Sequence, residues 1–191
     1  MEATRLIRGE WEVRDLDIAI AHRIVRKFHY ARGASNTAVY LHGLFRKGDI
    51  FQEQCQGLAW WIPPTRSCAE ATYPANWKGV LSLSRLVILP GVPSNACTYL
   101  LSQSRKLIPK DVWPCLLTYA DEFRGHTGAI YKADNWQMLG LTKPQPVYVL
   151  RGVMIARKAG PKTRSHSQML ALGCELVGKF RKHKFVMIRK D

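Results

Sequence analysis

Residues 120–136 read ADEFRGHTGAIYKADNW, and Asp121, Arg124, His126 and Tyr131 within them are side chains that move protons or hold anions. A carboxylate accepts a proton, a phenol donates one, and the imidazole and guanidinium between them bind or polarise a partner. Gly125 and Gly128 let the backbone approach such a partner closely. The stretch serves either as a solvated loop or as the lining of a reaction site, and other residues bear on the choice. In LSLSRLVI, strand alternation puts Leu83, Arg85 and Val87 on one face and Ser84, Leu86 and Ile88 on the other. A guanidinium inside an apolar strand needs a partner, because an unpaired buried charge is costly. Asp121, at the end of the next expected strand, is the natural one. The pair is either a salt bridge stitching two strands or an oriented acid at the mouth of a cleft.

His29 and Tyr30 close the first expected helix. With Asp121 and Tyr131 they offer nitrogen and oxygen ligands that suit iron better than a soft metal. No metal-site spacing links the four, and a histidine at a helix end also serves as a cap or dipole partner. Ser94 and Asn95 stand where a helix begins just after a strand, a place whose free amides bind phosphate. The tract SNACTYL has no glycine-rich cradle. Trp60, Trp61, Tyr73 and Trp77 either stack on an extruded base or fill the core.

The elements that must position these residues follow from periodicity. Asp15 is expected to cap a helix to about Phe28, with Leu16, Ile20, Ile24 and Phe28 four apart on its buried stripe. TAVYLHGLFR and FQEQCQGLAWWI flank Lys47-Gly48-Asp49 as a hairpin. LSLSRLVILPG is a strand, and a helix runs through NACTYLLSQSRKLI. CLLTYAD is an interior strand, GAIYKADNWQMLG a short helix stopped by Gly140, and VYVLRGVMIA and HKFVMIRK are strands with a helix in SQMLALGCELVG between them. That order is α/β (α+β), with a mixed, mostly antiparallel sheet, flanking helices and one strand–helix–strand crossover.

Length and charge bound the rest. At 191 residues, 47% hydrophobic and with six tryptophans, the chain is expected to fold as one domain over 1–191. It carries 29 Lys and Arg against 14 Asp and Glu, a net +15. Residues 151–191 hold eleven of those cations against Glu175 and Asp191. Such a basic third points to a polyanion, nucleic acid before an anionic membrane surface. Five cysteines without a CxxC argue against a zinc cluster or a disulfide framework. The start has no apolar signal region and no segment reaches membrane-span length, so a reducing cytoplasm is expected.

FHYARGASN, LSLSRLVI followed by SNACTYLLSQS, TYADEFRGHTGAIYKADNW and the closing GKFRKHKFVMI together resemble the Mom-type DNA adenine modification proteins of bacteriophages. The resemblance runs in order over roughly residues 20–190. It implies a GNAT-like acyltransferase fold, in which LSLSRLVI is the central splayed strand and the helix from Ser94 faces the donor. It implies conversion of the adenine N6 amino group in double-stranded DNA to a methylcarbamoyl (carbamoylmethyl) derivative. Phage DNA is thereby shielded from restriction in the host bacterial cytoplasm. Carried over by motif, the functional residues are His29, Tyr30, Ser84, Arg85, Asp121 and Tyr131, with a link to iron. Asp121 is then expected at the amine and Tyr131 at the small-molecule donor. The usual GNAT pyrophosphate loop, Gln/Arg-x-x-Gly-x-Gly/Ala, is not spelled by LPGVPSNACTYL. That departure tells against ordinary acetyl-CoA binding and simple acetyl transfer, and the donor is expected to be either acetyl-CoA or another small molecule. Two other classes remain open: a conventional GNAT acyltransferase acting on a protein or tRNA amine, and a DNA-binding module without chemistry.

Overall fold

The computed structural model describes residues 5–34, 37–159 and 162–189. Ser35 and Asn36 of the FHYARGASN motif and Lys190 at the end of HKFVMIRK lie outside the described residues.

Strand β1 (Trp11–Asp15) comes first, so Asp15 ends a strand instead of capping a helix. Helix α1 (Ile18–Phe28) is capped two residues later, where the Asp17 carboxylate accepts from the Ala19 and Ile20 amides at 2.7 and 3.2 Å. Ile20, Ala21, Ile24 and Val25 form its buried stripe. Then follow β2 (Tyr40–Arg46), β3 (Gly57–Ile62), a short α2 (Arg66–Glu70), β4 (Val80–Ile88), α3 (Ala96–Leu107) and β5 (Cys115–Asp121). The expected helix over GAIYKADNWQMLG is only α4 (Ala129–Ala133). Asn135 adopts φ +62, the left-handed conformation that ends helices, and β6 (Gln137–Leu141) continues from it.

The expected single strand VYVLRGVMIA is two strands, β7 (Gln145–Leu150) and β8 (Val153–Ile155). Arg151 and Gly152 between them both have positive φ, +49 and +75, as a two-residue hairpin turn requires. A small ribbon of β9 (Lys158–Ala159) and β10 (Lys162–Thr163), then α5 (His166–Ala171), β11 (Glu175–Phe180) and β12 (Lys182–Ile188) complete the chain. The tract SQMLALGCELVG is therefore half helix and half strand.

The main sheet has the order β1-β2-β3-β4-β5-β12-β6, and a smaller one the order β11-β7-β8. Every pairing in the main sheet is antiparallel except β4 with β5, which α3 connects. Helices α3 and α4 cover one face, over Leu81, Leu83, Leu116, Ala120 and Phe185. On the other face α1 lies over Phe45, Leu58, Trp60 and Val87, and Ala69 of α2 packs with Val80, Cys115 and Leu117. Trp60 and Trp61 are wholly buried in these cores, which removes them as stacking platforms for a base.

Two irregularities in the middle of the sheet create the site. The parallel register of β4 and β5 runs only from Val80↔Cys115 to Leu83↔Thr118, although the strands continue to Ile88 and Asp121. Beyond that point β4 stays with β3 and β5 stays with β12, so the two part. In the same place Trp60 pairs with Arg85 while Trp61 pairs with Leu83, leaving Ser84 as the extra residue of a bulge. The bulge breaks the expected alternation. Leu83 shares a core with Leu86 and Ile88, and Val87 packs into the α1 core on the opposite face.

Candidate active site

Where β4 and β5 separate, a cavity of about 570 Å³ passes between them. The end of α1 supplies Phe28, His29 and Tyr30 on one side, and α3 and α4 supply Cys97 and Tyr131 on the other. Ser84 and Arg85 of β4 and Thr118 of β5 form the edges, and the 125–128 turn forms the rim. Five of the six motif residues therefore line one cavity. Asp121 sits just outside its lining and 7% exposed, close enough that its charge raises the Tyr30 pKa.

The sequence pairs Arg85 with Asp121, and the structure does not. Arg85 Nε donates to the Gly33 carbonyl at 2.9 Å, and Nη1 donates to the Ser84 carbonyl and hydroxyl at 2.7 and 3.1 Å. Asp121 instead accepts from the Phe123 amide at 3.1 Å and stands 3.7 Å from Lys182 Nζ across the β5–β12 register. The physical reason is the splay, which carries β5 away from β4 before either side chain can reach the other.

Burial shapes the titration of the cavity. It is the main cause that pushes the His29 pKa down from 6.5 to about 4, and Arg85, His126 and Arg124 push the same way. His29 is thus neutral, and its Nδ1 accepts from the Ala31 amide at 3.0 Å. The ring proton then resides on Nε2, which makes His29 a donor. Burial pushes the Tyr131 phenol up to about 12, against a hydrogen bond with the Thr118 hydroxyl. Burial and then Asp121 raise the Tyr30 phenol, while Arg85 and Arg124 oppose them. Burial lowers Arg85 from its ordinary range, and Tyr30 opposes it. The cavity therefore presents two phenol hydroxyls, a guanidinium and a neutral imidazole, all able to donate. A carboxylate stands at its edge. Such an array stabilises a carbonyl or departing oxygen that gains negative charge.

The donor set expected for iron is already engaged within the protein. The His29 Nδ1 lone pair is committed to Ala31, and Asp121 to Phe123 and Lys182. Both phenols are held in their protonated form by burial. Among the described residues no three His, Cys, Asp or Glu side chains gather around a point. As they stand, His29, Tyr30, Asp121 and Tyr131 do not fit a metal site.

The phosphate-binding expectation at Ser94 and Asn95 also changes. Asn95, not Ser94, precedes α3, and its side-chain oxygen is taken by the Leu6 amide at 2.6 Å. The first turn of α3 reaches the cavity through Cys97, whose thiol burial pushes up to about 11. His126, singled out with Asp121 and Tyr131 in the sequence, does line the cavity, whereas Cys97 and Thr118 are lining residues that sequence reasoning left out of the site. A threonine three residues before Asp121, after the apolar start of CLLTYAD, was the signal that could have found Thr118.

Comparison with known proteins gives two kinds of likeness. The sequence pattern of the Mom protein family matches residues 10–190. The methylcarbamoylase Mom of Escherichia phage Mu is 29% identical over 136 residues, covering 69% of this chain and 54% of that protein. The chain thus spans about half the length of the curated relative it matches. In fold, Arabidopsis thaliana NAA60 in complex with acetyl-CoA superposes with a TM-score of 0.58 at 12% identity, over 93% of this chain and 97% of that one. The ribosomal-protein-S18-alanine N-acetyltransferase of Escherichia coli gives 0.54 at 10% identity, over 95% of each chain. The fold is that of the GNAT acetyltransferases.

Proposed function

The chain belongs to the Mom protein family, and on that premise we propose that it is a transferase acting on adenine in double-stranded DNA. The reaction converts the N6 amino group to a methylcarbamoyl derivative, which protects phage DNA from host restriction in the bacterial cytoplasm. The observation that carries this reading is the passage between β4 and β5. It is lined by His29, Tyr30, Ser84, Arg85 and Tyr131 and is flanked by helices on both faces of the sheet. Two reactants can then meet from opposite sides, the base near His29 and Tyr30 and a small donor near Cys97 and Tyr131.

The adenine amine is a weak nucleophile, because its lone pair is delocalised into the ring. In the proposed step N6 forms a bond to the carbon of the transferred group as that carbon's bond to the donor breaks. The N6 proton passes to Asp121, and Tyr131 gives its hydroxyl proton to the departing atom. Arg85, fixed by Gly33 and Ser84, and the His29 Nε2–H hold oxygens of the reacting group. N6 is out of reach inside a stacked duplex, so the base must leave the helix at a cost of a few kcal/mol. Phosphate contacts from the basic third offset that cost.

The test is mass analysis of nucleosides from DNA of cells expressing the wild type, Asp121→Asn or Tyr131→Phe. A modified deoxyadenosine in the wild type alone, with both variants folded, supports the reading. Acylated protein or tRNA with unaltered deoxynucleosides would instead indicate a conventional GNAT enzyme, and no product at all a binding module.

A further inference from the structure

Arg124 is exposed at the mouth of the cavity, and its guanidinium lies 4.9 Å from the centre of the Tyr30 ring and 5.2 Å from that of Phe123. Among the described residues no carboxylate pairs with it. The turn that carries it is firmly held. The Gly125 amide donates to the Glu122 carbonyl at 2.9 Å and the His126 amide to the Asp121 carbonyl at 3.1 Å. The Arg181 amide donates to the Glu122 carboxylate at 2.9 Å, and Phe123 packs on Phe180 with centroids 4.9 Å apart. Gly125 and Gly128, at φ +70 and +76, give the turn its tight path. A planar cation thus projects from a braced turn between Asp121 and Tyr131, against aromatic faces.

A base that leaves a duplex leaves a slot between two flat neighbours, and the helix closes again unless something fills it. Many DNA-binding proteins insert wedge side chains between base steps, and a side chain of suitable shape can fill such a slot in the same way. A guanidinium suits this one, being flat, able to stack on ring faces and attracted to the phosphates on either side. We infer that Arg124 is the positioning residue that enters the duplex and occupies the space of the extruded adenine. It acts on the DNA and not on the reacting atoms. The inference rests on the proposed action on adenine in duplex DNA.

The experiment needs no donor. Duplexes carrying 2-aminopurine in place of adenine, opposite either thymine or an abasic site, are titrated with wild type, Arg124→Ala and Arg124→Lys. Fluorescence reads unstacking of the base, and anisotropy reads binding. A base opposite an abasic site is already easy to extrude, so it should not need the wedge. Wild type is expected to raise the fluorescence of both duplexes. Both variants are expected to bind both duplexes but raise fluorescence only opposite the abasic site, since Lys restores the charge and not the plane. Full signal from either variant on the paired duplex would overturn the inference, Lys alone reducing Arg124 to a phosphate contact. Loss of signal on the abasic duplex as well would also overturn it, because a wedge defect must be rescued there. If wild type itself binds without raising the fluorescence of either duplex, base extrusion fails, and the proposed reaction at N6 fails with it.

Discussion

Burial first, and then Arg85, His126 and Arg124, push the His29 pKa down from 6.5 to about 4 in the folded chain. Between pH 6.5 and about 4 the unfolded chain binds a proton at this residue that the folded chain refuses. The stability tied to neutral His29 is complete above pH 6.5 and declines as the pH falls through that window. Denaturant melts from pH 7 to 4 should therefore show His29→Gln with a shallower acid loss than wild type, and parallel curves would deny the buried, neutral ring. At this scale the sequence told a good deal. The types and order of His29, Tyr30, Ser84, Arg85 and Tyr131 were legible in short motifs, and the fold brings them to one cavity. The Arg85–Asp121 pairing was not legible correctly. It rests on strict strand alternation and on two strands staying together, and the bulge at Ser84 and the splay beyond Leu83 remove both conditions. Each depends on which strands neighbour one another, which no local pattern records.

Between β5 and α4 the positive-φ turn at Gly128 holds the cavity rim against the core. A Cβ there would run into the ring of Phe185, which is wholly buried on β12, and the left-handed backbone would add strain. Overpacking of this kind costs about 1–3 kcal/mol. In a chain of this size each kcal/mol lowers the melting temperature by about 2–4 °C. Gly128→Ala should thus melt several degrees lower, while Gly125→Ala, with nothing near its added methyl, meets only the backbone penalty. A Gly128→Ala protein as stable as wild type would contradict the tight seat of the turn on Phe185. The elements around the site were readable from periodicity, as for α1, α3, β4 and β5, although the helix starts expected at Asp15 and Ser94 fall instead at Asp17 and Asn95. They were misread where one residue's backbone conformation decided the outcome. Asn135 in the left-handed region turns the end of an expected helix into β6, and the Arg151-Gly152 turn splits one expected strand into β7 and β8. Strand β1, five residues long, owes its place to pairing with β2 and has too little pattern of its own.

Across the whole molecule the +15 charge was plain from composition, whereas the surface that carries it needed the fold. Lys158, Lys162, Lys179 and Arg181 are exposed, and Arg181 is joined by backbone hydrogen bonding to Glu122 beside the cavity mouth. Lys182, by contrast, is engaged with Asp121, and Lys184 is half-buried. Changing the four exposed cations to Gln should flatten the dependence of log K on log salt for duplex DNA by about 3.6, if each one neutralises a phosphate. An unchanged slope would move the DNA to another face. The reaction at N6 is read out by nucleoside mass analysis of DNA from expressing cells. Wild type should yield deoxyadenosine carrying one added methylcarbamoyl group. Folded Asp121→Asn and Tyr131→Phe should each fall by about 10²–10⁴-fold, the usual worth of a general acid or base. Unmodified deoxyadenosine in cells full of folded wild-type protein, or near-normal modification by folded Tyr131→Phe, would contradict the account.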